Sequence, residues 1–181
     1  MRITGGILRG RQVKVPDGII RPAMDRMRES VFAILGDLSG KSFLDFFSGS
    51  GIISLEAASR GASCIEAVEA DPKKIKTLLE NVKMSPVRIN CRFMSAELYV
   101  KRAKRNFDYI FCDPPFSYRY KDELLASIAA SKLMNENSLL LLHSPKEDSF
   151  NISSSKLTLK DSREFGRSVV NFYNFFHQEF D

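Results

Sequence analysis

From residue 42 onward, short apolar runs alternate with stretches whose apolar positions recur every three or four residues. Residues 42–46, 64–68, 88–93, 107–112 and 138–142 have the length and side-chain content of buried strands. The segments between them, 52–60, 72–84, 96–103 and 122–131, carry helical spacing. Local signals mark the boundaries. Gly61 stops the helix that follows Gly49-Ser50-Gly51, Asp71-Pro72 supplies a cap and a first-turn proline, and Asp113-Pro114-Pro115 ends the strand before it. Upstream, Met24, Met27, Val31, Ile34 and Leu35 fall on one face of a helix over residues 25–35. Strands separated by helices predict a parallel sheet wound on both faces. The tail differs, because residues 156–164 and 168–176 read as strands either side of Gly166, an antiparallel pair at the sheet edge. At the front, two short runs around Gly5-Gly6 and Gly10 predict a small β-hairpin, and residues 17–22 a connector. The expected class is α/β, a mostly parallel doubly wound sheet with an antiparallel C-terminal strand pair and a small N-terminal hairpin appendage.

Composition narrows the class. The 181 residues carry 44% hydrophobic and 27% charged side chains, the proportions of a globular chain with one core. The start has no apolar segment of the secretory kind, and no apolar run approaches the ~18–20 residues that span a bilayer, so the expected location is cytoplasmic. Cys64, Cys91 and Cys112 are widely spaced, and only His143 and His177 can assist them. Neither a disulfide framework nor a metal site is expected, and both histidines read as structural.

Charge changes the picture more. Of the net +5, residues 1–30 hold +4, from seven basic and three acidic side chains. A basic front end suggests a polyanionic partner, against the alternative of an ordinary solvated surface. The division is into residues 1–22, a basic hairpin and connector that docks RNA, and residues 23–181, the body. Arg2, Arg9, Arg11, Arg21, Arg26 and Arg28 are the expected RNA-facing set, beside Gly-rich turns able to follow a phosphate backbone. A second basic run, Lys101, Arg102, Lys104 and Arg105, lies at a helix end and reads as a dipole effect.

Two motifs carry chemistry. Leu44-Asp45-Phe46-Phe47-Ser48-Gly49-Ser50-Gly51 stands after the first strand and before its helix, where Rossmann-like sheets bind nucleotides. Glu69, 18 residues after Gly51, ends the second strand where an acid meets ribose hydroxyls. Asp45 decides between ligands. A carboxylate repels a pyrophosphate and attracts the ammonium and sulfonium of S-adenosylmethionine, so the loop favours the latter over NAD. Asp113-Pro114-Pro115-Phe116 follows the fourth strand at the ligand-gathering edge. The Asp113 carboxylate and the Pro114 carbonyl can each accept one N–H of an exocyclic amine, and Phe116 offers a face for a flipped-out base.

The chain resembles the RsmD family of 16S rRNA guanine-N2 methyltransferases. The resemblance rests on Arg2–Arg11, Arg21–Glu29, Leu44–Gly51, Val68–Asp71 and Asp113–Phe116, of which the front motifs are the most specific. It implies a class I methyltransferase fold, with S-adenosylmethionine as cofactor and a guanine of small-subunit rRNA as acceptor, in a partly or fully assembled subunit. It further implies a cofactor site of Asp45, Phe47, Ser48, Gly49, Ser50, Gly51, Glu69, Ala70, Ser95, Ala96 and Asp113. Asp113, Pro114, Pro115 and Phe116 would hold the amine. Two positions depart from the family pattern: Ser95 replaces an acid, and His143 stands near a common Glu. Tyr118 and Tyr120 are candidates for a lid, and Phe172, Phe175, Phe176 and Phe180 for edge-strand core. The competing readings are the same chemistry on DNA adenine N6 or a protein glutamine, and a non-catalytic RNA-binding assembly module. A monomer is expected, and removal of residues 1–22 is expected to weaken RNA binding while sparing the cofactor site.

Overall fold

The computed structural model describes residues 1–16, 23–152 and 156–176. The chain runs α1 (Ala23–Leu35), β1 (Ser42–Phe46), α2 (Ile52–Ser59), β2 (Cys64–Val68), α3 (Pro72–Asn81) and β3 (Ile89–Arg92). It continues through α4 (Ala96–Arg102), β4 (Tyr109–Cys112), α5 (Lys121–Ala130), β5 (Leu139–Pro145), β6 (Leu157–Phe165) and β7 (Ser168–Phe175). The strands make one sheet in the order β3-β2-β1-β4-β5-β7-β6. The first five are parallel, and β7 pairs antiparallel to both β5 and β6.

β1 lies at the centre because its side chains are apolar toward both faces. Phe43 and Leu44 are both fully buried, in the cores on opposite sides of the sheet. One core packs Phe43, Val31, Phe32 and Leu55, and the other Leu44, Phe46, Ile110, Leu125 and Leu142. Asp45 is the one charged residue in the strand, and it too is fully buried. The caps follow the sequence signals. The Asp71 carboxylate accepts from Lys73 N at 3.0 Å ahead of Pro72, and Ser95 Oγ accepts from Leu98 N at 3.2 Å to open α4.

Two expectations are corrected. β5 continues to Pro145 rather than stopping at Leu142, because β7 pairs with it along its whole length, from Leu139↔Asn174 to Pro145↔Ser168. His143 is therefore a strand residue. The front segment, secondly, does not stand off the body. It does turn back on itself as a hairpin, with an Arg2↔Gln12 bridge and Val13 N donating to Met1 O at 2.8 Å. Yet Ile3, Leu8 and Val13 are buried in the same core as α1 and α2. Ile7 N donates to Ser59 O and Leu8 N to Ser59 Oγ, both at 2.9 Å. Gly6 makes this approach possible: its φ is +72°, and a Cβ there would stand 1.8 Å from the Ser59 carbonyl oxygen. The glycine serves docking onto α2 rather than an RNA backbone.

Candidate active site

The loop after β1 turns sharply at Phe47 (φ 60°) and Gly49 (φ 55°). A positive φ at a bulky aromatic is strained and needs support from its surroundings. Here the ring lies edge-on to Tyr118, with centroids 5.3 Å apart. Gly49 faces open space, since a Cβ there meets only Phe47 O at 3.9 Å. Its N–H donates to Glu69 Oε2 at 2.7 Å, while Asp71 N donates to Oε1 at 2.8 Å. Glu69 thus braces the loop from the end of β2, and each carboxylate oxygen keeps capacity for a further donor.

A cavity of about 600 Å³ opens above these strand ends. Asp45, Phe47, Ser48, Gly49, Ser50, Glu69 and Ala70 from the β1 and β2 ends line it, together with Asp113, Pro114, Pro115, Phe116 and Tyr118 after β4 and His143 of β5. Asp45 is its most unusual group. Ser54 N and Oγ both donate to Oδ2, at 3.1 and 2.6 Å, and Oδ1 has no partner. Burial pushes the carboxyl up to about 8, the bonds from Ser54 oppose that rise, and the nearby Asp113 and Glu69 add to it. An orphaned buried oxygen, with two more carboxylates in the same cavity lining, is a site for a cation that brings its own donor. The ammonium of S-adenosylmethionine meets both requirements, and its sulfonium adds a second positive charge.

Three expected cofactor residues are placed elsewhere. Gly51 caps α2 with its Cα turned toward Leu78, where a Cβ would come within 2.7 Å of Cδ1. Ser95 spends its hydroxyl on the cap of α4, and Ala96 is buried in the core. None of the three lines the cavity.

The Asp113–Phe116 turn is held from two sides. Lys121, buried at the start of α5, donates from Nζ to Phe116 O at 3.2 Å and to Tyr118 O at 2.8 Å, and it pairs with Asp148 at 2.8 Å. From the other side, His143 Nδ1 meets Asp113 Oδ1 at 2.8 Å, and its ring lies edge-on to Phe116 at 5.6 Å. Tyr118 hydrogen-bonds Glu97 of α4, and burial with that bond pushes its hydroxyl up, so it remains a donor. Tyr120 packs against Tyr118 and is 62% exposed. Sequence reasoning missed Lys121 and left His143 as merely structural. A lysine opening a helix carries no sign of burial, and the Asp113 contact depends on strand register.

The basic set divides. Arg2, Arg9, Arg11 and Arg26 are exposed. Arg28 is a correction: its side chain is fully buried, with Nε on Glu56 Oε1 at 3.3 Å and Nη2 on Asp25 Oδ1 at 2.6 Å and Arg2 O at 2.9 Å. Such a guanidinium ties α1, α2 and the front segment together and is not available to RNA. Arg21 lies outside the described residues, as do His177 and Phe180. Among the described residues no helix is long and apolar enough to cross a membrane, and no group of three or more His, Cys, Asp or Glu is placed to hold a metal ion.

A family model described as "Conserved hypothetical protein 95" matches residues 1–174. Among curated proteins, the chain is 28% identical to "Ribosomal RNA small subunit methyltransferase D" of Escherichia coli K12, over 96% of this chain and 89% of that one. Among solved structures, yhhF from Escherichia coli, described as a candidate methyltransferase, superposes with a TM-score of 0.85 at 26% identity. It covers 98% of this chain and 99% of that one. Hypothetical protein TTHA0928 of Thermus thermophilus follows at 0.80 and 30% identity, covering 95% and 98%.

Proposed function

Because the chain belongs to the conserved hypothetical protein 95 family, the one that the front and cavity motifs resemble, we propose that it methylates small-subunit rRNA with S-adenosylmethionine as donor. The acceptor is the exocyclic N2 amine of a guanine. One observation carries the reading: a single cavity joins the orphaned carboxylate oxygen of Asp45 to the Asp113-Pro114-Pro115-Phe116 turn. Donor and acceptor sites are thereby continuous, as a direct transfer requires.

Bound at the Asp45 end, S-adenosylmethionine supplies a methyl group activated by its sulfonium. Asp45 and Glu69 hold that end by charge and by hydrogen bonds. Asp113 and the Pro114 carbonyl each accept an N–H of the guanine amine and aim the nitrogen lone pair at the methyl carbon. Methylation would leave the nitrogen with one proton too many, and the Asp113 carboxylate is placed to take it and pass it to solvent. Phe116 offers the base an aromatic face, a contact worth about 1–3 kcal/mol per base in single-strand systems. Rate comes from placement and from the exclusion of water. The exposed Arg2, Arg9, Arg11 and Arg26 supply phosphate contacts that position the RNA without reading sequence.

The test incubates the protein with methyl-labelled S-adenosylmethionine and small subunits from a strain lacking the enzyme, then maps the modified nucleotide. Label on a guanine N2 of small-subunit rRNA is expected. Label on an adenine or on ribosomal protein replaces the acceptor, and absence of label with intact donor binding removes the activity.

A further inference from the structure

Cys112, the last residue of β4, is level with Leu142 of β5, so the residues that follow, Asp113 just beyond β4 and His143 still within β5, come side by side. That register brings the two side chains together across 30 positions of sequence. The imidazole is 3% exposed and bonded at both nitrogens: Nδ1 to Asp113 Oδ1 at 2.8 Å, and Nε2 to Ser168 Oγ at 2.9 Å. Ser168, at the start of β7, donates its hydroxyl to Phe165 O at 3.1 Å. The chain of contacts thus runs from the cavity wall back into the β6–β7 turn.

Hydrogen counting orients it. A carbonyl can only accept, so when Ser168 donates to Phe165 O its oxygen accepts from His143 Nε2–H. If Nε2 is bare, the hydroxyl turns to donate to it instead. A carboxylate can likewise only accept, so Nδ1 carries the hydrogen of its bond to the Asp113 carboxylate, the ring being doubly protonated in the first arrangement and the neutral Nδ1–H tautomer in the second. One carboxylate oxygen of Asp113 is then occupied by a buried, doubly anchored donor, and Oδ2 is the oxygen left to an amine in the cavity.

We infer that His143 is the positioning residue of the transfer reaction: held by Ser168, it fixes the Asp113 carboxylate so that Oδ2 meets the acceptor N–H. The inference rests on the amino-methyltransferase reading above. An unrestrained carboxylate swings about its terminal torsion, and misplacement by about 1 Å at a reacting group can cost on the order of 100-fold in rate.

Asparagine and glutamine separate the two ring nitrogens. His143→Asn keeps an N–H donor near the Nδ1 position and loses the reach to Ser168. His143→Gln keeps a polar group near Nε2 and withdraws the donor from Asp113. Both give up one buried bond, so comparable melting temperatures are expected. The Asn variant should keep kcat within about 3-fold of wild type, whereas Gln should lower it about 10- to 100-fold, with donor affinity unchanged in both. Equal loss in the two variants, with normal wild-type turnover, makes His143 merely structural and overturns the inference alone. A wild type that binds donor but transfers no methyl group overturns the reading beneath it, and the inference with it. The bond is also read without substrate. In 15N-labelled protein the His143 Nδ1–H should give a slowly exchanging resonance that shifts on Asp113→Ala while the Nε2 environment is retained. Absence of that resonance overturns the inference whatever the activity.

Discussion

Asp45→Asn separates what the buried carboxylate does for the fold from what it does for the ligand. In the free protein its carboxyl is pushed up to about 8 from an ordinary value of 3.8, chiefly by burial. Between those two values the folded chain holds a proton that the unfolded chain has released. Stability therefore falls as pH rises across the window, by up to about 1.4 kcal/mol per pH unit. From pH 5 to pH 7 this single site removes about 3 kcal/mol, and asparagine, which cannot ionise, is free of that loss. Its amide oxygen can still accept from Ser54. The assay is urea denaturation of wild type and variant at pH 5 and 7, taking the difference between the two differences so that other titrating groups cancel. A gap of about 3 kcal/mol in favour of the variant at pH 7 is expected. Donor binding should move the other way. A cationic ligand requires the ionised carboxylate, so wild-type affinity weakens up to about tenfold per unit as pH falls below about 8. The variant should bind weakly with little pH dependence. If the two proteins keep a constant stability difference between pH 5 and 7, Asp45 is already ionised in the free protein, and the orphaned oxygen is no measure of a missing cation.

Asp113→Ala should abolish methyl transfer while leaving donor affinity within a few-fold, as read by calorimetry and a labelled-methyl assay; surviving turnover would remove its amine-holding role. Glu56→Ala leaves the buried Arg28 with Asp25 as its one carboxylate and takes the acceptor from Thr4 N and Arg60, and should cost about 3 kcal/mol in urea denaturation, against under 1 kcal/mol if the pair is incidental. Converting Arg2, Arg9, Arg11 and Arg26 together to glutamine should flatten the plot of log RNA affinity against log salt by about 3 units. An unchanged slope would put the phosphate contacts elsewhere.

Local pattern carried the sheet and the two motifs. Residues 42–46 and 64–68 coincide with β1 and β2 because a strand buried on both faces is a short apolar run wherever it occurs, and its glycine or Asp-Pro neighbours mark its ends. The same locality lets the sequence point to Asp45, Glu69 and Asp113, which line one cavity, since each lies at or near a strand end. What escaped depends on pairings between distant segments. His143 became a partner of Asp113 through the β4–β5 register, and a strand residue through β7, neither of which leaves a trace at position 143. Arg28 sits in the most basic stretch of the chain, so charge counting assigned it to RNA. Besides the neighbouring Asp25, it pairs with Glu56, which is 28 positions away on a helix buried along its whole length.

The buried pair also changes what the net charge means. Read as a sequence, residues 1–22 are a basic arm whose removal weakens RNA binding and spares the cofactor site. Ile3, Leu8 and Val13 are each 5% exposed or less, and full burial of such a side chain contributes about 1.5–3 kcal/mol, so the three together supply roughly 5–9 kcal/mol. A whole domain is stable by about 5–15 kcal/mol. Removal of residues 1–16 also leaves Glu56 without the Thr4 N–H and Asn81 without Lys14, and it takes away Met1 and Val15, which line the cavity. Asn81 Nδ2 also donates to Ser50 O of the cofactor loop at 2.8 Å, so the disturbance reaches the donor site directly. The truncated chain should therefore be unfolded or nearly so at about 25 °C by circular dichroism, and what folds should bind S-adenosylmethionine more weakly. A truncated protein that melts like the full chain and binds the donor unchanged would restore the detachable arm. If the exposed arginines bind RNA as proposed, it is the burial of the apolar residues between them in the core that fixes their relation to the cavity.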